Sequence, residues 1–254
     1  MNTYKTADIA KIIGIHVNTV RLYEKCSLIP KPERLSNGYR VFTDLHIEQF
    51  KLARAALQVE VLQNGLRKQA VDIIKASAAG DYQTAAKLTK YYLQQIEIES
   101  EHAEDAIEIT NKILSGSDTD IEYQKSDHNF TRKEAADFLQ VTIDTLRNWE
   151  LNGLYTVKRK ENGYRIYTRE DLQRLKIIRS LRCANYSLSS ILRMLKALEI
   201  DPDSNIRKII DTPKKEDDII TACDKLLTSL QEAKENTLFV AEQIEKMKKM
   251  DSNL

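Results

Sequence analysis

Two sets of residues in this chain have the types and spacing that recognise nucleic acid. The first is Val17, Asn18, Thr19 and Arg21; the second is Ile143, Asp144, Thr145, Arg147 and Asn148. Arg can fork onto guanine or clamp a phosphate, and Asn can pair with adenine. Asp144 repels phosphate unless it caps a helix or meets a cytosine amino group. Each set precedes a basic loop that ends in the same tetrapeptide, Asn37-Gly38-Tyr39-Arg40 and Asn162-Gly163-Tyr164-Arg165. The loops carry Lys31, Arg34 and Arg40, and Lys158, Arg159, Lys160 and Arg165. A basic hairpin beside a groove neutralises phosphates, which adds affinity but little sequence information.

The two sets belong to one internal repeat. Shifted by 126 residues, Ala10 meets Ala136, Thr19 meets Thr145, Arg21 meets Arg147, Tyr23 meets Trp149, and Glu24 meets Glu150. One residue is then lost in the second copy. At an offset of 125, NGYRVFT meets NGYRIYT and Arg54 meets Arg179. A period this long reads as a duplicated domain rather than a solenoid.

The elements that must hold these residues follow from local signals. A short helix, roughly Thr6–Ile13, opens the first copy, and its counterpart starts with the capping box Thr131-Arg132-Lys133-Glu134. Breaks at Gly14 and Gln140 lead into a second helix, with Asn18 or Asp144 placed to cap or open it. After the Asn-Gly turn, Tyr39–Thr43 and Tyr164–Thr168 are β-branched and aromatic and read as short strands. A third helix opens at Thr43 or Thr168. The pattern is helix, tight turn, helix and wing.

A long helix closes each copy. Cys223, Leu226, Leu230, Ala233, Thr237, Val240, Ile244 and Met247 keep a 3,4 spacing, a coiled-coil seam. Ala85, Leu88, Tyr92, Ile96, Glu99, Ala103, Ala106, Thr110 and Ile113 form a less regular one. The two stripes predict helices that pair with each other or with a partner chain. The expected organisation is a first winged domain at 1–80 and a long helix at 81–114. A polar linker at 115–129, a second winged domain at 130–212 and a long helix at 213–250 complete it. The fold class is mainly all-α, with two small β-wings.

Composition agrees with this reading. Of 254 residues, 30% are charged and 42% hydrophobic, with only 7 Gly and 4 Pro, which favours helices. Net charge is +1, but residues 1–57 hold nine Lys/Arg against five Asp/Glu, and residues 130–182 hold twelve against seven. Residues 81–114 are acidic, with three against seven. Local asymmetry of this kind matters more for DNA binding than the total. No apolar run is long enough to span a membrane and no secretion signal opens the chain, so a cytoplasmic location is expected. Cys26, Cys183 and Cys223 form no CxxC pair and are expected as half-buried reduced thiols.

The segments IAKIIGIHVNTVRLYEKCSLIPKPERLSNGYRVFT and EAADFLQVTIDTLRNWELNGLYTVKRKENGYRIYTREDL resemble the DNA-binding domain of the MerR family of bacterial transcription regulators. The resemblance rests on Arg-x-aromatic-Glu, the Leu that follows, and Gly-Tyr-Arg-x-aromatic-Thr. It implies a regulator that binds a near-palindromic double-stranded promoter site, changes its geometry, and so gives RNA polymerase access. It implies that Arg21, Tyr23 and Arg40, with Arg147, Trp149 and Arg165, contact DNA. It adds Arg182 as a phosphate grip, whose first-copy place holds Leu57 or Gln58. A usual member carries one such domain and dimerises through an antiparallel helix. This chain carries two, so its long helices could pair within one chain.

This sequence departs from the family at Leu22 and Asn148, which replace the second aromatic, and at Ser27, which replaces a glycine. His16, His46, His102 and His128 have no ligand spacing, so no metal or other cofactor is expected. Nothing matches a nucleophile elbow, a P-loop or a dinucleotide fingerprint, which argues against an enzyme. A small organic effector remains a candidate ligand, with Tyr82, Tyr91, Tyr92, Trp149 and Phe239 available to line an apolar pocket. The alternative is a drug-sequestering protein on the same duplicated fold, with weak or lost DNA binding. Arg40 and Arg165 speak against it; Asp144 and the missing aromatics speak for it.

Overall fold

The computed structural model describes residues 2–58, 65–116, 129–159, 163–213 and 221–252. The linker expected at 115–129 falls mostly outside these residues, as do Lys160 and Asn162. The chain is mainly helical, and its contacts divide it into two units, Met1–Ile98 with Ser229–Leu254, and Glu99–Thr228. No helix among the described residues is long and apolar enough to cross a membrane.

The first unit begins with β1 (Thr3–Tyr4), α1 (Thr6–Ile13) and α2 (Val17–Lys25). Next come β2 (Glu33–Arg34), β3 (Arg40–Thr43), α3 (Asp44–Ala56) and α4 (Leu66–Ala78). β3 is the middle strand of an antiparallel sheet, pairing Glu33 with Val41 on one side and Tyr4 with Phe42 on the other. The N-terminal strand therefore anchors the wing, a role its two residues do not announce in the sequence. Ile9, Val20, Phe42, Phe50 and Leu52 are fully buried beneath these elements. The tight turn after α1 is made by Gly14 at φ 70°, a left-handed conformation that costs glycine nothing.

α5 (Tyr82–Leu114) and α11 (Leu226–Ser252) are the long helices, and the division between units falls inside both. In the first unit they run antiparallel. Glu97 of α5 pairs with Lys234 of α11 at 3.0 Å, while Asp251 acts on Tyr82 near the other end. Tyr92, Ala233, Thr237 and Val240 meet Ala55, Ala70 and Ile73 of α3 and α4 around a cavity of about 10 Å³. This is room for about one water. Lys246 of α11 reaches Glu48 of α3 at 2.8 Å. Burial works against the Glu48 charge, yet Lys246 and Lys51 hold its carboxyl below the usual range. The helix that follows the second winged domain thus braces the first.

The second unit repeats the winged plan. It contains α6 (Arg132–Phe138), α7 (Ile143–Leu151), β4 (Lys158–Arg159), β5 (Arg165–Ile166) and α8 (Arg169–Cys183). These lead into α9 (Leu188–Ile200), α10 (Ile206–Ile210) and a short 3₁₀ turn, Ala222–Lys225. The Phe130–Tyr167 bridge stands where β1 pairs with β3 in the first unit. Here the brace is α5. Asn185 donates to Glu99 at 3.0 Å, Tyr186 donates to the Ala103 carbonyl at 3.4 Å, and Arg207 pairs with Glu104. Each winged domain is therefore supported by the long helix of the other repeat.

The seam residues Leu226, Leu230, Ala233, Thr237, Val240, Ile244 and Met247 are all buried. Cys223 departs from the expected seam: it lies in the 3₁₀ turn before α11, where its carbonyl accepts from the Ser187 amide. In α5, Thr89 is buried where Leu88 was expected, and Glu99 is only half-buried because it serves Asn185. Cys26 and Cys183 are exposed rather than half-buried.

Candidate nucleic-acid interface

α2 shows how the sequence sorts its faces. Val20 and Tyr23, three residues apart, point into the core, and the Tyr23 ring stacks on Phe50 at 5.4 Å. The opposite stripe, Asn18, Arg21, Leu22 and Lys25, is exposed. In α7, Leu146 and Trp149 are buried and Asp144, Arg147, Asn148 and Leu151 are exposed. The two outward stripes occupy the same four repeat positions. Thr19 and Thr145 are half-buried at their edges.

This sorting corrects the expected roles of Tyr23 and Trp149. They are 8% and 4% exposed, so their rings hold the helices onto the core instead of facing a ligand. The caps also differ from expectation. Asn18 and Asp144 lie in the first turn, and the residues before the helices do the capping. The His16 Nδ1 accepts from the Asn18 amide at 3.2 Å, and the Thr142 Oγ1 accepts from the Thr145 amide at 3.0 Å. The capping box at Thr131–Glu134 forms as its spacing predicts, and the structure has a second one at Thr168–Asp171.

Each wing is tied to its recognition helix by one carboxylate. Glu24 receives the Arg40 Nε on one oxygen and Arg34 on the other at 3.2 Å. Glu150 receives the Arg165 Nε at 2.7 Å and Arg159 at 3.5 Å. The pair keeps the Arg165 guanidinium raised above its ordinary value, chiefly through the hydrogen bond to Glu150. Arg40 and Arg165 are therefore half-buried fasteners of the wing, with 24% and 18% of their side chains exposed. Arg34 and Arg159 keep about half of theirs free, at 47% and 52%. Tyr39 and Tyr164 stand at the wing tips, 70% and 73% exposed. Lys31 and Lys158 are exposed as well.

The clamp glutamates went unassigned in the sequence, although their signal was there. A carboxylate repeated at one register, beside two arginines repeated at another, is a pattern of ion pairing. Lys75 was also missed. It comes from α4, yet it lines the same groove as Arg21, Lys25, Lys31 and Arg40 between α2 and the wing. Five cations there face one carboxylate, Glu24. The corresponding helix of the second unit borders a different groove, where Arg179 and Arg182 of α8 face Asp144, Thr142 and Asn148. Arg182 is not a free phosphate grip: it donates to the Tyr186 carbonyl, and Arg179 donates to Gln140 Oε1 at 3.2 Å. Both remain at the edge of that groove.

Of the aromatics named as possible effector contacts, Tyr91 and Phe239 are 51% and 38% exposed, while Tyr82, Tyr92 and Trp149 are buried. Among the described residues, no group of three or more His, Cys, Asp or Glu could hold a metal ion.

An exposed second helix after a tight turn, a wing fastened to it, and a bracing helix define a winged helix-turn-helix protein. Residues 130–198 match the family described as MerR HTH family regulatory protein, and residues 5–42 match MerR family regulatory protein. The chain carries two MerR-type domains. It is 45% identical over 71 residues to the HTH-type transcriptional regulator ZntR of Escherichia coli K12, covering 28% of this chain and 50% of that one. It is 42% identical over 53 residues to the HTH-type transcriptional regulator CueR of Escherichia coli O6:H1, covering 21% and 39%. The mercuric resistance operon regulatory protein of Bacillus cereus is 30% identical over 65 residues, covering 26% and 49%. The chain spans at most about half the length of these curated relatives. Among solved structures none matches significantly.

Proposed function

We propose that the chain is a double-stranded-DNA-binding transcription regulator. It grips a pseudo-palindromic promoter site with both winged domains and alters promoter geometry, which changes access for RNA polymerase in the cytoplasm. The reading is carried by the duplicated clamp. In each domain one glutamate fastens a basic wing beside an outward recognition stripe that contains an arginine. A wing fixed in this way puts Arg34 or Arg159 and Tyr39 or Tyr164 at a phosphate backbone while Arg21 or Arg147 enters the major groove. Asn18, Thr19, Thr145 and Asn148 are the neighbouring groups within reach of base edges.

The chain acts in this reading as its own dimer. Antiparallel contact between α5 and α11 in the first unit supports this, because those helices would otherwise be available to a second copy. Two measurements test it. Fluorescence anisotropy of the full chain on its upstream DNA should show affinity that falls steeply with salt, and Arg21→Ala with Arg147→Ala should weaken it at least about tenfold. Binding that ignores salt, or none, rejects the reading in favour of a sequestering protein. Light scattering should give a monomer in solution, and an obligate dimer rejects the self-pairing.

A further inference from the structure

Aligned position by position, the two recognition stripes are chemically unlike. Asn18, Arg21, Leu22 and Lys25 stand where Asp144, Arg147, Asn148 and Leu151 stand in the second copy. The first stripe carries two cations and no anion; the second carries one of each. Arg21 and Arg147 are the shared element, so both faces can grip guanine or phosphate. The differences lie on either side of it.

Leu22 is 52% exposed on the outward face of α2, an apolar group aimed at solvent. In a major groove the group it fits is the thymine 5-methyl, the one apolar feature on a base edge there. Its counterpart Asn148 is polar and already oriented. Asn152 donates through Nδ2 to the Asn148 Oδ1 at 2.6 Å and to the Asn148 carbonyl at 2.8 Å. That bond occupies one of the two acceptor sites of the Asn148 oxygen and leaves both amide N–H groups to donate, which favours guanine O6 or N7 over the paired donor and acceptor of adenine. The first copy has Cys26 at the position of Asn152 and lacks this lock. Asp144 lies in the first turn of α7, exposed, with the cap made by Thr142 instead. Its carboxylate is an acceptor for the cytosine N4 amino group.

We propose that the two domains read different half-sites, a thymine-containing one by the first domain through Leu22 and a G·C-containing one by the second through Asp144 and Asn148. The chain then docks on its DNA in one orientation, which a homodimer of identical domains cannot do. The inference rests on the DNA-binding reading above.

The test is selection of a random-sequence duplex pool by the full-length protein, repeated with Leu22→Ala, Asp144→Ala and Leu22→Asn. These side chains are exposed, so the variants should melt with the parent protein. The parent should select two dissimilar halves. Leu22→Ala should relax one base pair in one half only, and uracil in place of that thymine should weaken the parent severalfold but leave the variant unchanged. Asp144→Ala should relax one position in the other half. Leu22→Asn should lose the preference for the thymine in the first half. A perfectly palindromic consensus, or variants that each relax both halves, overturns this inference while leaving DNA binding intact. A pool that is not enriched at all removes the DNA-binding reading and this one together.

Discussion

The two repeats make the same domain and place their costs at different turns. Each domain needs a left-handed residue after its first helix and another after its recognition helix. The first repeat has Gly14 (φ 70°) and Ser27 (φ 56°); the second has Gln140 (φ 50°) and Gly153 (φ 73°). Each copy thus has one comfortable turn and one strained turn, in opposite places. Their caps differ in a similar way, with His16 and His46 in the first where Thr142 and Asp171 serve the second. Both copies keep a buried aromatic, the glutamate clamp and one outward arginine, Arg21 or Arg147. Fold geometry is thus held by repeated residues, while the helix termini and most of the outward stripe around that arginine diverge.

The largest effect should come from the shared core aromatic. Trp149→Ala leaves a cavity under α7 and is expected to destabilise the protein by about 3–5 kcal/mol in denaturant unfolding. Arg147→Ala, on the opposite face of the same helix, should change stability by less than about 0.5 kcal/mol and still weaken DNA binding. If the two variants exchange these phenotypes, the helix faces the other way.

Next in size is the clamp. Glu150→Gln removes the charge that holds Arg165, a side chain only 18% exposed, and should cost about 1–2 kcal/mol. Glu24→Gln should do the same in the first domain, since Arg40 is held alike. The freed wing keeps its cations, so non-specific DNA affinity should persist while discrimination between sequences falls. A variant that loses both equally would show that the arginines act alone.

The caps separate the repeats by pH. The His46 Nδ1 accepts from the Thr43 amide at 3.1 Å and lies against Phe42, and burial lowers its pKa from 6.5. The unfolded chain takes up a proton near pH 6.5, and the folded domain resists it. Stability is therefore complete above that pH and is lost as pH falls below it, by at most about 1.4 kcal/mol per pH unit. His46→Asp, which copies Asp171, should flatten the loss in this window. An unchanged slope would place the proton elsewhere.

What the sequence made legible was local. The first helix at Thr6–Ile13, the breaks at Gly14 and Gln140 and the starts at Thr43 and Thr168 depend on neighbours within a few residues, and the structure has them there. The clamps span 9 to 16 residues, and Lys75 joins the first one's groove from another helix, so spacing alone did not reveal them. The bracing of the first domain by α11 links Glu48 to Lys246, nearly 200 residues apart in the chain, and no periodicity reports that. The family resemblance implies DNA contact for the aromatics at positions 23 and 149. Their burial follows from lying three residues after Val20 and Leu146 on one helix face.

The smallest expected effect tests the exchange of strain most directly. Ser27 holds a left-handed conformation that disfavours a residue with a Cβ, and its counterpart Gly153 shows that the turn accepts glycine with open space around it. Ser27→Gly should relieve that strain, offset in part by the greater freedom glycine gives the unfolded chain, for a net gain of about 0.5–1 kcal/mol. The reverse change, Gly153→Ser, should lose a similar amount in the second domain. Gln140→Gly should gain less than Ser27→Gly, because Gln140 also accepts from Arg179 and that bond would be lost. Thermal melts should rank Ser27→Gly highest, Gln140→Gly next and Gly153→Ser lowest. If Ser27→Gly destabilises instead, the serine is held there by something other than the turn, and the two repeats differ by more than an exchange of positions.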